Sequence, residues 1–581
     1  MKVDDVSKFQ DLVRKVYLSP EYKKRRQEMN RYLRYYKGEF WKEENRAEGE
    51  TEIFANYIFS TVQAVAPLLT DNRPIWYLRA RKPFLQRFFQ VYSDGLEYLW
   101  DKAELDMKLF RVVLDSLIMK HGLWKIHLRD GEVAIDVQDP RTFVCAPGYD
   151  DIWDAPWCGT AERKPVSWVK EYFADVKGVE EIKADDDELR ARTDSEFEKM
   201  SDLEQSAEFV TVFEVWVKDA AAEKAIDGKA KPKYPNGRIV TFCQGVKLKD
   251  VPSPFRHKKP PYVQFLDYLV PHELHGMGEP DQIETLCLEF NLGLKKLAQY
   301  VIDYVDPDWY IDSACGVDPE KWKEERKGGK NVWAVNTGSQ IPQVGVMPPI
   351  NTTVIDFLNS IPKLIEEITQ VTAVSKGMEV KKQRQTAGEI ATLIESSYTR
   401  TRQRVRNLEA SIKRALYLVV DIMQQFYDDE RPYTLVEDGD VSFGAVSNRA
   451  EFAKRVMTPR EPEKRGWFSK LVPQGELKQE YQQELEDYQA LVDYLGDADQ
   501  VYVDFDLEIQ TNSTLPMDRQ SLANLMLRLF ELKAVDAEAL LEILRVPKRE
   551  EIVGRLTAQM QAQAQPQQAP PQEMQEGIPN G

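Results

Sequence analysis

The stretch from residue 386 to 428 constrains this chain more than any other. Thr386 has the character of an N-cap, with Glu389 three residues on to complete a capping box. From there Ile390, Leu393, Ile394, Val405, Leu408, Ile412, Leu416, Val419 and Met423 recur at three- and four-residue steps, which predicts a single helix. At 1.5 Å per residue it runs about 63 Å, far beyond the globular average, a length suited to spanning the layers of a large assembly. The apolar face weakens midway. Ser397, Thr401 and Arg404 take positions expected for aliphatics, and Arg400, Arg402, Arg404 and Arg406 crowd two turns. That cluster reads equally as a solvated basic band and as a contact between subunits.

Two more helices belong with this one. Residues 352–374 carry Ile355, Leu358, Ile361, Leu364, Ile365, Ile368 and Val371 at helical spacing, and Pro362 predicts a kink or a restart. The following 375–385 stretch has almost no apolar periodicity and reads as a polar turn. Earlier, residues 279–305 read as a helix with Pro280 at its first position, stopped by Asp306-Pro307. Between these helices lies a small insert of strand–helix–strand pattern, at 309–312, 319–326 and 332–335.

Upstream, residues 5–45 read as a charged helical stretch in which Lys23, Lys24, Arg25 and Arg26 precede Tyr32, Tyr35, Tyr36, Phe40 and Trp41. Interleaved Glu21, Glu28 and Glu39 favour a docking helix over a nucleic-acid patch. Helices are predicted at 56–69, 85–103 and 107–121. Strands follow at 123–128, 133–137, 142–146, 209–217, 238–244 and 262–268, with a short helix at 166–173. The acid-rich 178–208 stretch reads as exposed. Beyond 428, strands and polar loops lead to a charged helix at 477–495, a strand at 501–510 and two helices at 518–533 and 536–544. From 558 the Gln/Ala/Pro composition predicts disorder.

A chain of 581 residues is long enough for two to four domains. The net charge of −18 argues against a conventional duplex-binding protein, though not against one that must pass DNA without holding it. Cys145, Cys158, Cys243, Cys287 and Cys315 are odd in number and widely spaced, so a reducing compartment is expected rather than a disulfide framework. Neither a signal peptide nor a membrane span is legible, so a soluble, intracellular protein is expected.

Catalytic patterns fail on inspection. Gly328-Gly-Lys330 lacks the upstream glycine of a phosphate-binding loop. His272 and His275 are three apart rather than four and follow Pro271, so they read as ordinary loop histidines. Asp185, Asp186 and Asp187 have only solvating neighbours. No active site, metal or cofactor is expected.

The order of elements resembles the portal (head–tail connector) proteins of tailed bacteriophages, from about Asn56 to Arg555. Gln138-Asp-Pro-Arg-Thr-Phe143, a Pro-Gly turn and Cys158-Gly-Thr-Ala-Glu-Arg163 resemble the wing region. Gly276-Met-Gly-Glu-Pro-Asp-Gln-Ile-Glu284 through Asn291 is similar to the start of the first stem helix, with Cys287 where the family commonly has glutamine. Thr386-Ala-Gly-Glu-Ile390 resembles the opening of the long helix after the channel loop.

The resemblance implies an α+β fold with long stem and wing helices, a β-rich wing, a small α/β clip and a helical crown. Its divisions would be an N-terminal arm and wing (1–278), first stem helix (279–305), clip (306–350), second stem helix (351–374), channel loop (375–385), long wing-to-crown helix (386–428), wing return (429–511), crown (512–557) and a disordered tail (558–581). It implies a homo-oligomeric ring of about twelve subunits at one capsid vertex of the virion, without catalysis. Double-stranded DNA would pass through it without sequence specificity. Partners would be the terminase large subunit, a head-completion or tail adaptor, and the major capsid and scaffold proteins. Lys381, Lys382 and Arg384 would face the channel; Trp309, Lys321, Lys323, Arg326, Lys327 and Trp333 would lie on the clip surface that meets terminase and adaptor. The alternatives are another ring component of a tail or baseplate, which the helix–clip–helix order disfavours, and a packaging nuclease or ATPase, which the failed motifs disfavour.

Overall fold

Ser19 and Pro20 divide the first helical stretch in two. The Ser19 hydroxyl accepts from the Tyr22 N–H and Pro20 takes the first helical position, so α1 (Val6–Tyr17) ends and α2 (Pro20–Tyr36) begins where a single helix was expected. The computed structural model describes residues 6–40, 53–185, 208–219, 222–224, 230–305, 307–311, 316, 318–327, 343–346, 348–371, 387–437, 440–459 and 474–510.

Asn56 caps α3 (Tyr57–Thr70) through the Phe59 N–H. Then come β1 (Trp76–Ala80), α4 (Gln86–Lys102) and α5 (Leu105–Met119). A hairpin of β2 (Gly122–Arg129) and β3 (Glu132–Gln138) turns at Asp130-Gly131, both at positive φ as a tight two-residue turn demands. The next strands are β4 (Phe143–Cys145), β5 (Trp157–Pro165), β6 (Phe209–Val217), the small pair β7 (Ala222–Lys224) and β8 (Ala230–Pro232), β9 (Arg238–Cys243), β10 (Val246–Pro252) and β11 (Tyr262–Phe265), with α6 (Val166–Tyr172) after β5. They make an antiparallel five-stranded sheet in the order β10-β9-β6-β5-β4 and a three-stranded sheet in the order β11-β2-β3.

Next are α7 (Glu279–Val305), β12 (Trp309–Tyr310), α8 (Pro319–Lys327), β13 (Gln343–Val344), α9 (Thr352–Thr369) and α10 (Ala387–Phe426). Pro362 lies inside α9 without ending it. Leu358, Ile361 and Ile365 around it are buried with Ile283, Cys287 and Phe290 of α7, and that packing holds the helix across the lost backbone bond. The helix stops at Gln370, in the left-handed region. The chain closes with β14 (Arg431–Glu437), β15 (Asp440–Val446), α11 (Ala450–Met457), α12 (Gln474–Leu495) and β16 (Phe505–Ile509). β16 pairs antiparallel with β1, Leu78 opposite Leu507.

The main core gathers α3, α4, α5, the β2–β3–β11 sheet and the C-terminal half of α10. Val405, Leu408, Ile412, Leu416, Val419 and Met423 all lie in it, and so do Leu418, Val420 and Ile422, so this end of α10 is enclosed on nearly every side. A second cluster seats Phe9, Val13 and Tyr17 of α1 on one face of the five-stranded sheet, against Trp157, Phe213, Val215 and Phe242. The predicted helices at 518–533 and 536–544, the strand at 332–335 and the tail lie outside the described residues. No helix among the described residues is long and apolar enough to cross a membrane.

Candidate functional site

The segment that carries the chain from β11 into α7 is fastened at three points, two of them ion-paired and one a pair of neutral histidines. Asp267, just past β11, and Glu279, the first residue of α7, both reach the Arg404 guanidinium on α10; the Glu279 contact is 2.8 Å. Both carboxylates are fully enclosed and the guanidinium nearly so. The guanidinium lies 4.8 Å from the centre of the Tyr268 ring, and the Asn407 amide donates to the Asp267 carbonyl at 3.1 Å. Burial lowers the affinity of Arg404 for its proton, but the two carboxylates outweigh it and raise its pKa. Burial pushes the Asp267 carboxyl upward, Arg404 pulls it down and Glu279 pushes it up again; the result is raised. The basic band therefore needs correction. Arg404 turns inward because two acids from another part of the chain converge on it.

The second fastening is Lys120, in the left-handed conformation that ends α5. Its ammonium contacts Glu28 of α2 at 2.9 Å and Asp281 of α7 at 2.7 Å. The Tyr32 hydroxyl donates to Asp281 at 2.9 Å, and Asp281 also accepts from the Gly278 N–H, capping α7. One turn on, Arg31 pairs with Glu284 at 2.7 Å. The third is a histidine pair. His121 and His275 meet Nδ1 to Nδ1 at 3.0 Å, one ring donating and the other accepting, and each Nε2 is buried without a hydrogen-bond partner. Burial holds both neutral, His121 down to about 3 and His275 well below the ordinary range, with the positive charge of Arg25 adding to both. His275 is thus a buried side chain on the loop that leads into α7, whereas His272 on the same loop is exposed.

Beyond this root, α7 and α9 form an antiparallel pair. Gly293 allows the close approach: a Cβ there would stand 2.2 Å from Cδ2 of Leu358. Farther out the pair exposes large apolar side chains, among them Val301, Ile302, Tyr304 and Val305 of α7 and Val354, Ile355, Phe357 and Leu364 of α9. Val305 is 74 % and Phe357 61 % exposed, values foreign to helices whose roots lie in a core.

At the far end, Trp309 pairs with Val344 across β12–β13, and its ring lies 5.5 Å from that of buried Trp322 on α8. Tyr300 of α7 donates to the Pro348 carbonyl at 2.7 Å, tying the insert to the pair. Lys321 is exposed on α8; Lys323, Arg326 and Lys327 are on the same helix, with side chains outside the description. Trp333 lies outside the described residues, as do Lys381, Lys382 and Arg384. Among the described residues no group of three or more His, Cys, Asp or Glu side chains is placed to hold a metal ion.

The family model described as Phage SU10 portal protein matches residues 118–443, more than half of the chain. The chain belongs to the phage portal protein family. A second family model, Phage P22-like portal protein, matches residues 312–579. No curated protein matches the chain. The first match runs from the end of α5 through Lys120, Asp267, Glu279 and Arg404, the α7–α9 pair and α10 into β15, and leaves out Glu28, Arg31 and Tyr32 of α2.

Sequence patterns located the paired helices but not the residues that lock their root. Arg404 and Asp267 are separated by 137 positions and His121 and His275 by 154, so no local spacing links them. One signal was available: a single arginine interrupting an apolar stripe needs buried acids if the stripe is buried.

Proposed function

We propose that this portal protein forms a ring, of about twelve copies, at one capsid vertex, serving as the conduit for DNA entry and exit and as the platform for terminase and then for a tail adaptor. The observation that carries this reading, beside the family, is the exposed apolar row on α7 and α9. Helices rooted in a charged, fully enclosed joint leave Val301, Val305, Val354 and Phe357 uncovered in the isolated chain, and a neighbouring copy would cover them. The insert of β12, α8 and β13 stands at the tip of those helices and is the natural clip, presenting Lys321 and its helix to terminase and adaptor. In a ring Lys381, Lys382 and Arg384 would form belts of identical positive charge facing DNA. The overall charge of −18 would keep phosphate contacts weak enough for movement. No catalysis is required of the protein in this role.

The direct test is native mass measurement with negative-stain imaging of the purified protein. Twelve copies of a 67.3 kDa chain give a particle of about 0.8 MDa with an open axis. A monomer or dimer that persists at high concentration would overturn the ring. Replacing Lys381, Lys382 and Arg384 by glutamine should leave the ring intact and change packaging of DNA; unchanged packaging would remove those three residues from the channel.

A further inference from the structure

Cys145 and Cys158 stand directly opposite each other in the β4–β5 ladder. The Ala146 N–H donates to the Trp157 carbonyl at 3.1 Å. The cysteines therefore occupy the adjoining non-hydrogen-bonded position, where paired Cα atoms approach to about 4.5 Å. The remaining backbone groups of Cys145 agree. Its N–H donates to the Tyr22 hydroxyl at 3.1 Å and its carbonyl accepts from the same hydroxyl at 3.0 Å, as groups turned away from β5 must find another partner. Both side chains are buried in one cluster with Leu123, Phe143, Ile152 and Tyr262. A disulfide asks for Cα atoms about 4.4–6.8 Å apart and Cβ atoms about 3.5–4.5 Å apart. A non-hydrogen-bonded pair meets the first condition and, with Cβ atoms about 4.5–5.5 Å apart, approaches the second by a small inward movement.

We propose that Cys145 and Cys158 are a latent oxidation site that closes a cross-strand disulfide when the protein meets a small-molecule disulfide such as oxidised glutathione. One thiolate attacks the oxidant's sulfur and releases one glutathione thiolate. The second cysteine then displaces the other glutathione. Two protons and two electrons leave the protein, and the oxidant's disulfide becomes two thiols. Burial pushes the Cys145 thiol up to about 12 and Cys158 well above its ordinary value, so the pair stays reduced until a slow opening admits the oxidant. The bond would close the loop of residues 146–157. That loop grips α10 through Asp151, 2.7 Å from Arg414, and β11 through the Trp153 indole, which donates to the Tyr262 carbonyl. Cys243 and Cys287 are buried in separate clusters, and Cys243 faces Val246 across its own hairpin.

The test is long incubation of the full-length protein with oxidised glutathione, acid quench, alkylation under denaturing conditions and peptide mass spectrometry. The expected product is a Cys145–Cys158 linked peptide short of two hydrogens, with Cys243 and Cys287 recovered singly. Hydrogen exchange across 146–157 should slow several-fold after oxidation. Recovery of Cys145 and Cys158 both alkylated, or their linkage to other cysteines just as often, overturns the proposal. Cys145→Ser should abolish the linked peptide; if that variant fails to fold, Cys158→Ala serves, and a 145-to-158 cross-link assignment surviving in either also overturns it.

Discussion

At the scale of single residues, the charged root makes the sharpest demands. Arg404→Met removes the only cation facing Asp267 and Glu279 in that triad and strands two buried carboxylates, at a cost of about 3–5 kcal/mol. Chemical denaturation reads it, and a combined Arg404→Met, Asp267→Asn, Glu279→Gln variant should regain most of the loss. The histidine pair sets a pH response of definite sign. Both rings are held neutral when folded, whereas the unfolded chain takes up protons near pH 6.5. Their contribution is therefore complete above about pH 6.5 and drains as pH falls toward the lowered folded values, each ring changing stability by up to about 1.4 kcal/mol per pH unit. Asp267 works the other way. Its raised carboxyl gains a proton earlier than the unfolded chain does, so its contribution is full in acid and lost as pH rises through the folded value. Denaturant midpoints measured from pH 7 to pH 5 should thus fall in the native protein and fall less steeply in His121→Gln. None of these partners was legible locally. The sequence shows an arginine in an apolar stripe and two histidines three apart, while the groups that give them meaning come from other elements.

At the scale of elements, helical periodicity was a good guide because α7, α9 and α10 bury continuous apolar faces, and a face of several turns leaves its spacing in the sequence. It missed one place: Ser19-Pro20 is a local break that the charge pattern of residues 5–45 masked. At Pro362 the helix that the periodicity predicts does continue, held by packing against α7. Strands were expected just beyond residue 428, where β14 and β15 lie, whereas the five-residue β1 takes its burial from α4 and alternation alone gave little sign of it. Gly293 ties α7 to α9. Gly293→Ala forces the buried Leu358 side chain aside, a cost of about 1–3 kcal/mol that the roughly 1 kcal/mol helix gain of alanine offsets in part, leaving a modestly lowered Tm. Phe357→Glu tests the outer face of the same pair. That side chain is 61 % exposed, so the monomer should keep its thermal stability while sedimentation shows the ring weakened or lost.

At the scale of the whole molecule, a chain of 581 residues draws its main core from both ends of the described sequence, from Met29 of α2 to Leu507 of β16. The pairing of β1 with β16 carries this furthest, since Arg81 and Asp506 at its margin are 425 residues apart and 3.0 Å from one another. The order in which a ribosome delivers the chain gives that pairing a temporal meaning. β1 emerges early and its only strand partner among the described residues is made some 425 residues later, so the edge at Trp76–Ala80 stays open through a long part of synthesis. At about 5–20 residues per second the wait lasts about twenty seconds to a minute and a half, an interval in which a nascent chain needs protection. Release of the chain before residue 505 should therefore give a product that aggregates rather than a shorter ring, and a supplied peptide spanning residues 501–510 should rescue part of it.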